Sequence, residues 1–294
     1  MDLGPHVFPV EKYGILSGWL RSELGVAEER IHPPEEIGDD DLARVHVPAY
    51  VSDLKHARHS WATTLSELPV DAEVIQGFLA MAGGSLTAVR LALEHGIGFH
   101  IGGGFHHAYP DHAEGFCYVH DVAVAIERLR AEARLDKVLV VDVDVHQGNG
   151  TAVIYGGDDQ TFTYSIHQEN NYPVKEESDW DRGLEDGVGD AQYILRLTSD
   201  LDAIAERFTP ELVCYLAGVD PYRGDQLGGL GLSSDGLAAR DRLVFERFVG
   251  QGIPLAVSLA GGYAQSPEKT AELHLGTARA AEEVCRARGA HPAR

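Results

Sequence analysis

KVLVVDVDVHQGNGT, residues 137–151, decides the fold. Its apolar, β-branched opening is the run expected of a strand buried in a sheet covered on both faces. Asp142, Asp144 and His146 follow two apart, which on an extended chain places all three on roughly one side. Gly148, Asn149 and Gly150 then break the strand. Two carboxylates and an imidazole at the carboxyl end of a buried strand need compensation, and the usual compensation is a cation.

Working outward, residues 96–101, 161–166, 212–216 and 254–259 read as further strands. Residues 71–94, a segment capped by Asp121, and residues 191–207, 235–249 and 269–288 read as helices. Strand alternating with helix implies an α/β fold with a mostly parallel central sheet and helices on both faces, in a single domain spanning residues 1–294. Gly83 and Gly84 inside the first long helix each cost about 1 kcal/mol against Ala, which implies a close helix–helix or helix–sheet approach. Nearer the N-terminus, residues 13–24 predict a helix, residues 38–41 a second helix start, and residues 42–47 a short strand ending at Pro48. Residues 168–190 read as a long polar loop, with Glu176, Glu177, Glu185 and Asp186 as a solvated acidic stretch.

Composition bounds the function. The 294 residues are 44% apolar and 24% charged, as in a soluble globule with a large core. No run approaches the roughly 18 apolar residues needed to span a membrane, and the N-terminus lacks the layout of a signal peptide. Cys117, Cys214 and Cys285 have no CxxC spacing, which excludes a cysteine zinc site and fits a reducing, cytoplasmic setting. A net charge of −22 opposes direct nucleic-acid binding and mildly favours cationic substrates.

In open parallel sheets the ligand lies beyond the carboxyl ends of the strands. Four strand ends carry polar groups with no reason to be in a core: His106-His107, Asp142/Asp144/His146, Asp220 in LAGVDPYRGD, and Tyr263 in LAGGYA. Asp144, His146 and Asp220 offer two carboxylates and one imidazole, a three-ligand set that leaves a position open, as in catalytic zinc sites. Two aspartates balance the charge of the ion, so its water is less acidified than under three histidines, and a separate base is needed. His106 and His107 can supply it, oriented by Asp142 and Asn149, and Tyr263 can donate to a developing oxyanion. A calcium loop does not fit, because the glutamate at its twelfth position is missing. His120 and His167 read as structural, His167 also as pocket-lining, and His6, His32, His46, His56 and His59 as structural or solvated.

Together GGGFHHAYPDHAEGFCYVHD, VVDVDVHQGNGT, YSIHQ, LAGVDPYRGDQLGGLGLS and LAGGYA resemble the signatures of the histone deacetylase superfamily, from about His6 to Gly262. HQGNG and GDQLGGLGLS look most like the class IV branch. The resemblance implies the arginase/deacetylase fold, one Zn2+ on Asp144, His146 and Asp220, catalytic His106 and His107, and Tyr263 at the transition state. It pairs Asp142 with His106 and Asn149 with His107. It also implies a structural K+ held largely by backbone carbonyls of Asp142, Asp144, His146, Ser165 and Ile166, and a substrate channel at Phe116, Tyr172 and Leu227. The expected reaction is hydrolysis of an N-acyl amide on lysine or a related amine. Asn149 departs from the classes with aspartate there, because a neutral amide cannot raise an imidazole pKa as a carboxylate would; Asn149→Asp is expected to move a limb of the pH–rate profile. An arginase-like ureohydrolase with two manganese ions, and a catalytically silent acyl-lysine-binding protein on the same scaffold, are the competing readings. No basic tail points to histones, and substrates of prokaryotic style extend to acylated polyamines.

Overall fold

The structure is a computed structural model that describes residues 2–287 and 289. Six strands, β1 (Ile97–Phe99), β2 (Val138–Asp142), β3 (Thr161–Gln168), β4 (Trp180–Leu184), β5 (Leu212–Leu216) and β6 (Leu255–Ser258), form one sheet in the order β1-β6-β5-β2-β3-β4. Every neighbouring pair is parallel. The helices are α1 (Glu11–Ser22), α2 (Asp39–Leu42), α3 (Pro48–Lys55), α4 (Trp61–Thr64), α5 (Ala72–His95), α6 (Asp121–Ala131), α7 (Asn149–Tyr155), α8 (Asp190–Ala205), α9 (Ser234–Phe248) and α10 (Pro267–Ala287). The pleat divides the core. Leu139 and Val141 of β2 pack with Val213, Tyr215 and Val257 against α8, α9 and α10. Val138 and Val140 pack with Leu212, Cys214 and Ala256 against α5 and α6 on the other face. All five β2 residues are buried, as its apolar run requires.

The structure departs from the sequence-based expectations in several places, first in that β2 ends at Asp142 rather than at residues 148–150, and Asn149 opens α7. Residues 42–47 form no strand. Leu42 closes α2, and Pro48 begins α3, where the missing N–H of proline is no loss because a first-turn donor has no helical partner. His120, not Asp121, caps α6: its ring accepts from the Ala123 N–H at 3.2 Å, while the Asp121 carboxylate accepts from the Gly104 and Phe105 N–H groups and from Ser85. The acidic loop contains β4, an edge strand whose residues alternate between half-buried and exposed until Leu184. Finally, α5 is long and apolar enough in composition to cross a membrane, yet half of its most apolar window is buried and it packs on β1, β6 and α6 as a core helix. The expected end of α10 at Arg288 lies outside the described residues.

The glycine pair in α5 has two separate causes. A Cβ on Gly83 would stand 1.9 Å from the Glu35 carbonyl oxygen, and one on Gly84 would stand 2.2 Å from the His100 ring. The close helix–sheet approach is instead at Gly98 of β1, where a Cβ would stand 1.9 Å from the Ala88 carbonyl oxygen of α5.

Candidate metal centre and active site

The carboxyl ends of β2, β5 and β6 meet where the chain leaves the sheet. After Asp142 the backbone turns out of the strand on two side-chain bonds: Asp142 Oδ1 accepts from the Asp144 N–H at 3.1 Å, and Asp144 Oδ1 from the His146 N–H at 2.9 Å. Asp220 Oδ1 accepts from the Val145 N–H at 2.8 Å, and Asp144 Oδ2 from the Gly261 N–H at 2.7 Å. Each aspartate is thus anchored by the backbone of a neighbouring strand end. Beneath them Arg240, fully buried and paired with Asp241, donates to the Gly218 carbonyl at 2.7 Å and braces the turn that carries Asp220.

One donor atom from each of Asp144, His146 and Asp220 lies within 4.8 Å of the others, and all three residues are buried. Asp220 Oδ2 is buried without a hydrogen-bond partner among the described residues, with His146 Nδ1 3.4 Å away. His146 Nδ1 also lies 3.1 Å from Asp144 Oδ1. A Cβ on Gly261 would stand 2.1 Å from Asp220 Oδ2 and 2.5 Å from Asp144 Oδ2, so only glycine leaves this cradle open. Burial pushes the His146 pKa down, but the hydrogen bond to Asp144 and the charges of Asp144 and Asp220 more than reverse it, to about 10. Asp220 is pushed up to about 7 by burial and by Asp144. Such affinity for a proton marks a pocket of excess negative charge. A dication on the same oxygens and nitrogen relieves it, so the residues fit a metal of the zinc type.

His106 and His107 stand side by side, ring centroids 4.0 Å apart, in contrasting environments. His106 Nδ1 is 2.6 Å from Asp142 Oδ2; burial lowers its pKa, but Asp142 and Asp144 outweigh burial and raise it to about 9. His107 Nδ1 is 2.7 Å from Asn149 Oδ1, and burial followed by the charges of His106 and His146 holds it well below the ordinary histidine value. In the metal-free protein the proton affinities of the two neighbouring rings are thus driven apart, His106 upward and His107 downward.

Tyr263 lines the same cavity, its ring 6.5 Å from His146 and 5.9 Å from Phe116. Its N–H donates to Asp225 Oδ2 at 2.6 Å. Phe116, held at φ +64°, lines the cavity, and the Tyr172 ring lies 5.2 Å from that of His107. Leu227 packs into the cluster that holds Phe116 and Tyr263. Ser165 is the direct register neighbour of Asp142, with Ile166 beside it in β3. His120 bonds Thr151, and His167 bonds Ser165.

The structure thus brings Asp144, His146, Asp220, His106, His107 and Tyr263 to one place, with Asp142 and Asn149 bonded to the two histidines. Sequence reasoning missed Asp225, which holds the backbone of Tyr263, along with Arg240 and Glu114. Glu114 accepts from Asn149 Nδ2 at 2.8 Å and from the Tyr172 hydroxyl at 3.0 Å. Its one signal was an acid placed directly before the Gly115-Phe116 wall.

Residues 6–278 match the histone deacetylase domain. This chain belongs to the histone deacetylase family. Histone deacetylase 2 of Arabidopsis thaliana is 32% identical over 272 residues, covering 89% of this chain and 70% of the plant protein. The histone deacetylase-like amidohydrolase of Pseudomonas aeruginosa is 31% identical over 259 residues, 81% of this chain and 66% of that protein. The fold is shared with an acetylpolyamine aminohydrolase from Burkholderia pseudomallei, with a TM-score of 0.77 at 21% identity over 93% of this chain and 90% of that one. The protein is accordingly an enzyme of the deacetylase type, an amidohydrolase.

Proposed function

We propose that this deacetylase-family enzyme removes acyl groups from N-acyl-lysine, or from a related N-acyl amine, with one zinc ion on Asp144, His146 and Asp220. The observation that carries the reading is the meeting of that buried three-donor cradle with a histidine pair whose proton affinities are driven apart. When bound, zinc supplies Lewis-acid polarisation and neutralises charge that develops during the reaction. His107 presents Nε2 to take the proton of the attacking water and return it to the departing amine. His106, cationic beside Asp142, stabilises negative charge across the site. The Tyr263 hydroxyl donates to the carbonyl oxygen as it becomes an oxyanion. Phe116, Tyr172 and Leu227 line the approach of the acylated chain, and the ring walls exclude water around its methylenes.

The HQGNG turn and the GDQLGGLGLS segment support a class IV-like enzyme, which brings long-chain acyl groups into the substrate range. A potassium ion on Asp142, Asp144, His146, Ser165 and Ile166, bound mainly through backbone carbonyls, is part of the proposal, as is a cytoplasmic setting. The test is a panel of acyl-lysine peptides and acylated amines from acetyl to myristoyl. Turnover is expected in the wild type and lost in His107→Ala. A panel with no turnover, or with turnover that survives His107→Ala, removes the reading.

A further inference from the structure

We propose that Glu114 is the positioning residue that dictates which ring nitrogen of His107 is free to act as base. The inference rests on the reading of His107 given above, and concerns how an asparagine can do the orienting work of an aspartate. An aspartate only accepts hydrogen bonds, so it forces the facing imidazole nitrogen to carry the proton. An asparagine presents an acceptor on one side and a donor on the other, and by itself would hold either tautomer.

Glu114 removes that freedom. As a carboxylate it only accepts, and its Oε1 lies 2.8 Å from Asn149 Nδ2. The amide nitrogen must therefore face Glu114, which turns Oδ1 toward His107 Nδ1 at 2.7 Å. Nδ1 then carries the hydrogen, and Nε2 keeps its lone pair for the proton of the attacking water. Were the amide reversed, Nδ2 would donate to Nδ1 and the ring proton would sit on Nε2, where it blocks the base. The second Asn149 N–H donor reaches the Tyr109 hydroxyl at 3.1 Å. That hydroxyl points its own hydrogen at Glu176 Oε1 over a long 3.4 Å, so it favours the same orientation through a weaker contact, and the short charged contact with Glu114 sets the choice.

The carboxylate is well placed for this. Its side chain is three-quarters buried, and its second oxygen lies 3.5 Å from His112 Nε2. His112 stacks on Tyr109 with centroids 4.4 Å apart. Gly115 at φ +49° lets the backbone pass close by, since a Cβ there would stand 2.6 Å from His107 and 2.7 Å from the Tyr172 hydroxyl. The oxygen that orients Asn149 also accepts from that hydroxyl at 3.0 Å, so one acid sets both the base and a wall of the channel.

The test is a mutant cycle. Asn149→Asp brings a second carboxylate to the 2.8 Å contact with Glu114, and like charges at that distance are expected to lower kcat about tenfold or more. In E114Q/N149D the glutamine Nε2 donates to the introduced carboxylate, and kcat is expected to return to within about threefold of wild type. A double mutant no more active than N149D overturns the proposal, because a merely structural role for Glu114 gives compounded losses rather than rescue. A second measurement needs no turnover: ring 15N shifts of His107 in histidine-labelled protein, assigned by their loss in His107→Gln. The hydrogen is expected on Nδ1 in the wild type, with the Nε2–H form appearing in Glu114→Leu. A wild type already protonated on Nε2, or an unchanged tautomer in Glu114→Leu, refutes the idea. If the wild type hydrolyses nothing in the acyl panel, the functional reading fails while the tautomer measurement still judges Glu114.

Discussion

Tyr263→Phe removes one oxygen from the site and leaves the rest of the residue in place. The Tyr263 ring is 7% exposed and packs against Phe8, Phe116 and His146 with centroids 6.3, 5.9 and 6.5 Å apart. The backbone is pinned by its N–H to Asp225 and by its carbonyl, which accepts from Gln226 Nε2 at 3.0 Å. None of these contacts uses the hydroxyl, so folding and substrate binding should persist. Burial, then the charges of Asp144 and Asp220, hold the hydroxyl pKa well above its ordinary value, so it stays a donor at any working pH. The loss should fall on the transition state. Removing one preorganised oxyanion donor costs about 3–4 kcal/mol, a fall in kcat of roughly 10²–10³ with KM changed by less than about threefold. Steady-state kinetics on the best substrate of the acyl panel, with a melting curve as control, measure this directly. A kcat within about fivefold of wild type would refute an oxyanion role for Tyr263.

Other perturbations reach the metal cradle, the packing and the buried histidines. Asp220→Asn leaves the backbone anchor to Val145 but replaces a charged ligand oxygen, so zinc affinity should fall by at least about 100-fold; a competition titration that finds wild-type affinity contradicts the ligand set. Gly83→Ala drives a methyl into the Glu35 carbonyl, and the overpacking, partly offset by better helix propensity, should leave a net loss of about 1–2 kcal/mol by denaturant titration; an unchanged midpoint refutes the close contact. Burial lowers the pKa of His46, His100 and His167 to about 4 and that of His120 to about 3. Their contribution to stability is present above their ordinary value near 6.5 and is lost as pH falls toward 4. Asp220, raised to about 7 in the metal-free protein, offsets one of the four. Burial holds His107 and His274 below the ordinary value as well, so the metal-free protein should lose stability steadily as pH falls from about 6.5 to about 4.5; a flat profile over that range would mean these rings are not held neutral.

Much of the site was legible because its residues sit at strand ends that announce themselves locally. The apolar run before Asp142, and those before Asp220 and Tyr263, end abruptly in polar groups, and parallel topology brings such ends together. What stayed hidden depends on contacts distant in sequence. β4 could not be seen in a polar acidic segment, because an edge strand takes its hydrogen bonds from β3 and needs few apolar residues of its own. Pro48 reads equally as a stop and as a first helical residue, and only the packing of Tyr50, Val51 and Leu54 decides. Asp121 looked like a cap until its oxygens were claimed by the glycine-rich turn, leaving the His120 ring to do that work. Glu114 and Asn149 are 35 residues apart, and nothing local to either reveals that one fixes the orientation of the other.

The most direct test of the central claim is a metal titration of the metal-free enzyme, followed by hydrolysis of its preferred N-acyl substrate. Activity should rise linearly with zinc, saturate at one ion per chain as the cradle of Asp144, His146 and Asp220 fills, and vanish again with a chelator. Activity that needs two manganese ions per chain, or hydrolysis undiminished without metal, would contradict it.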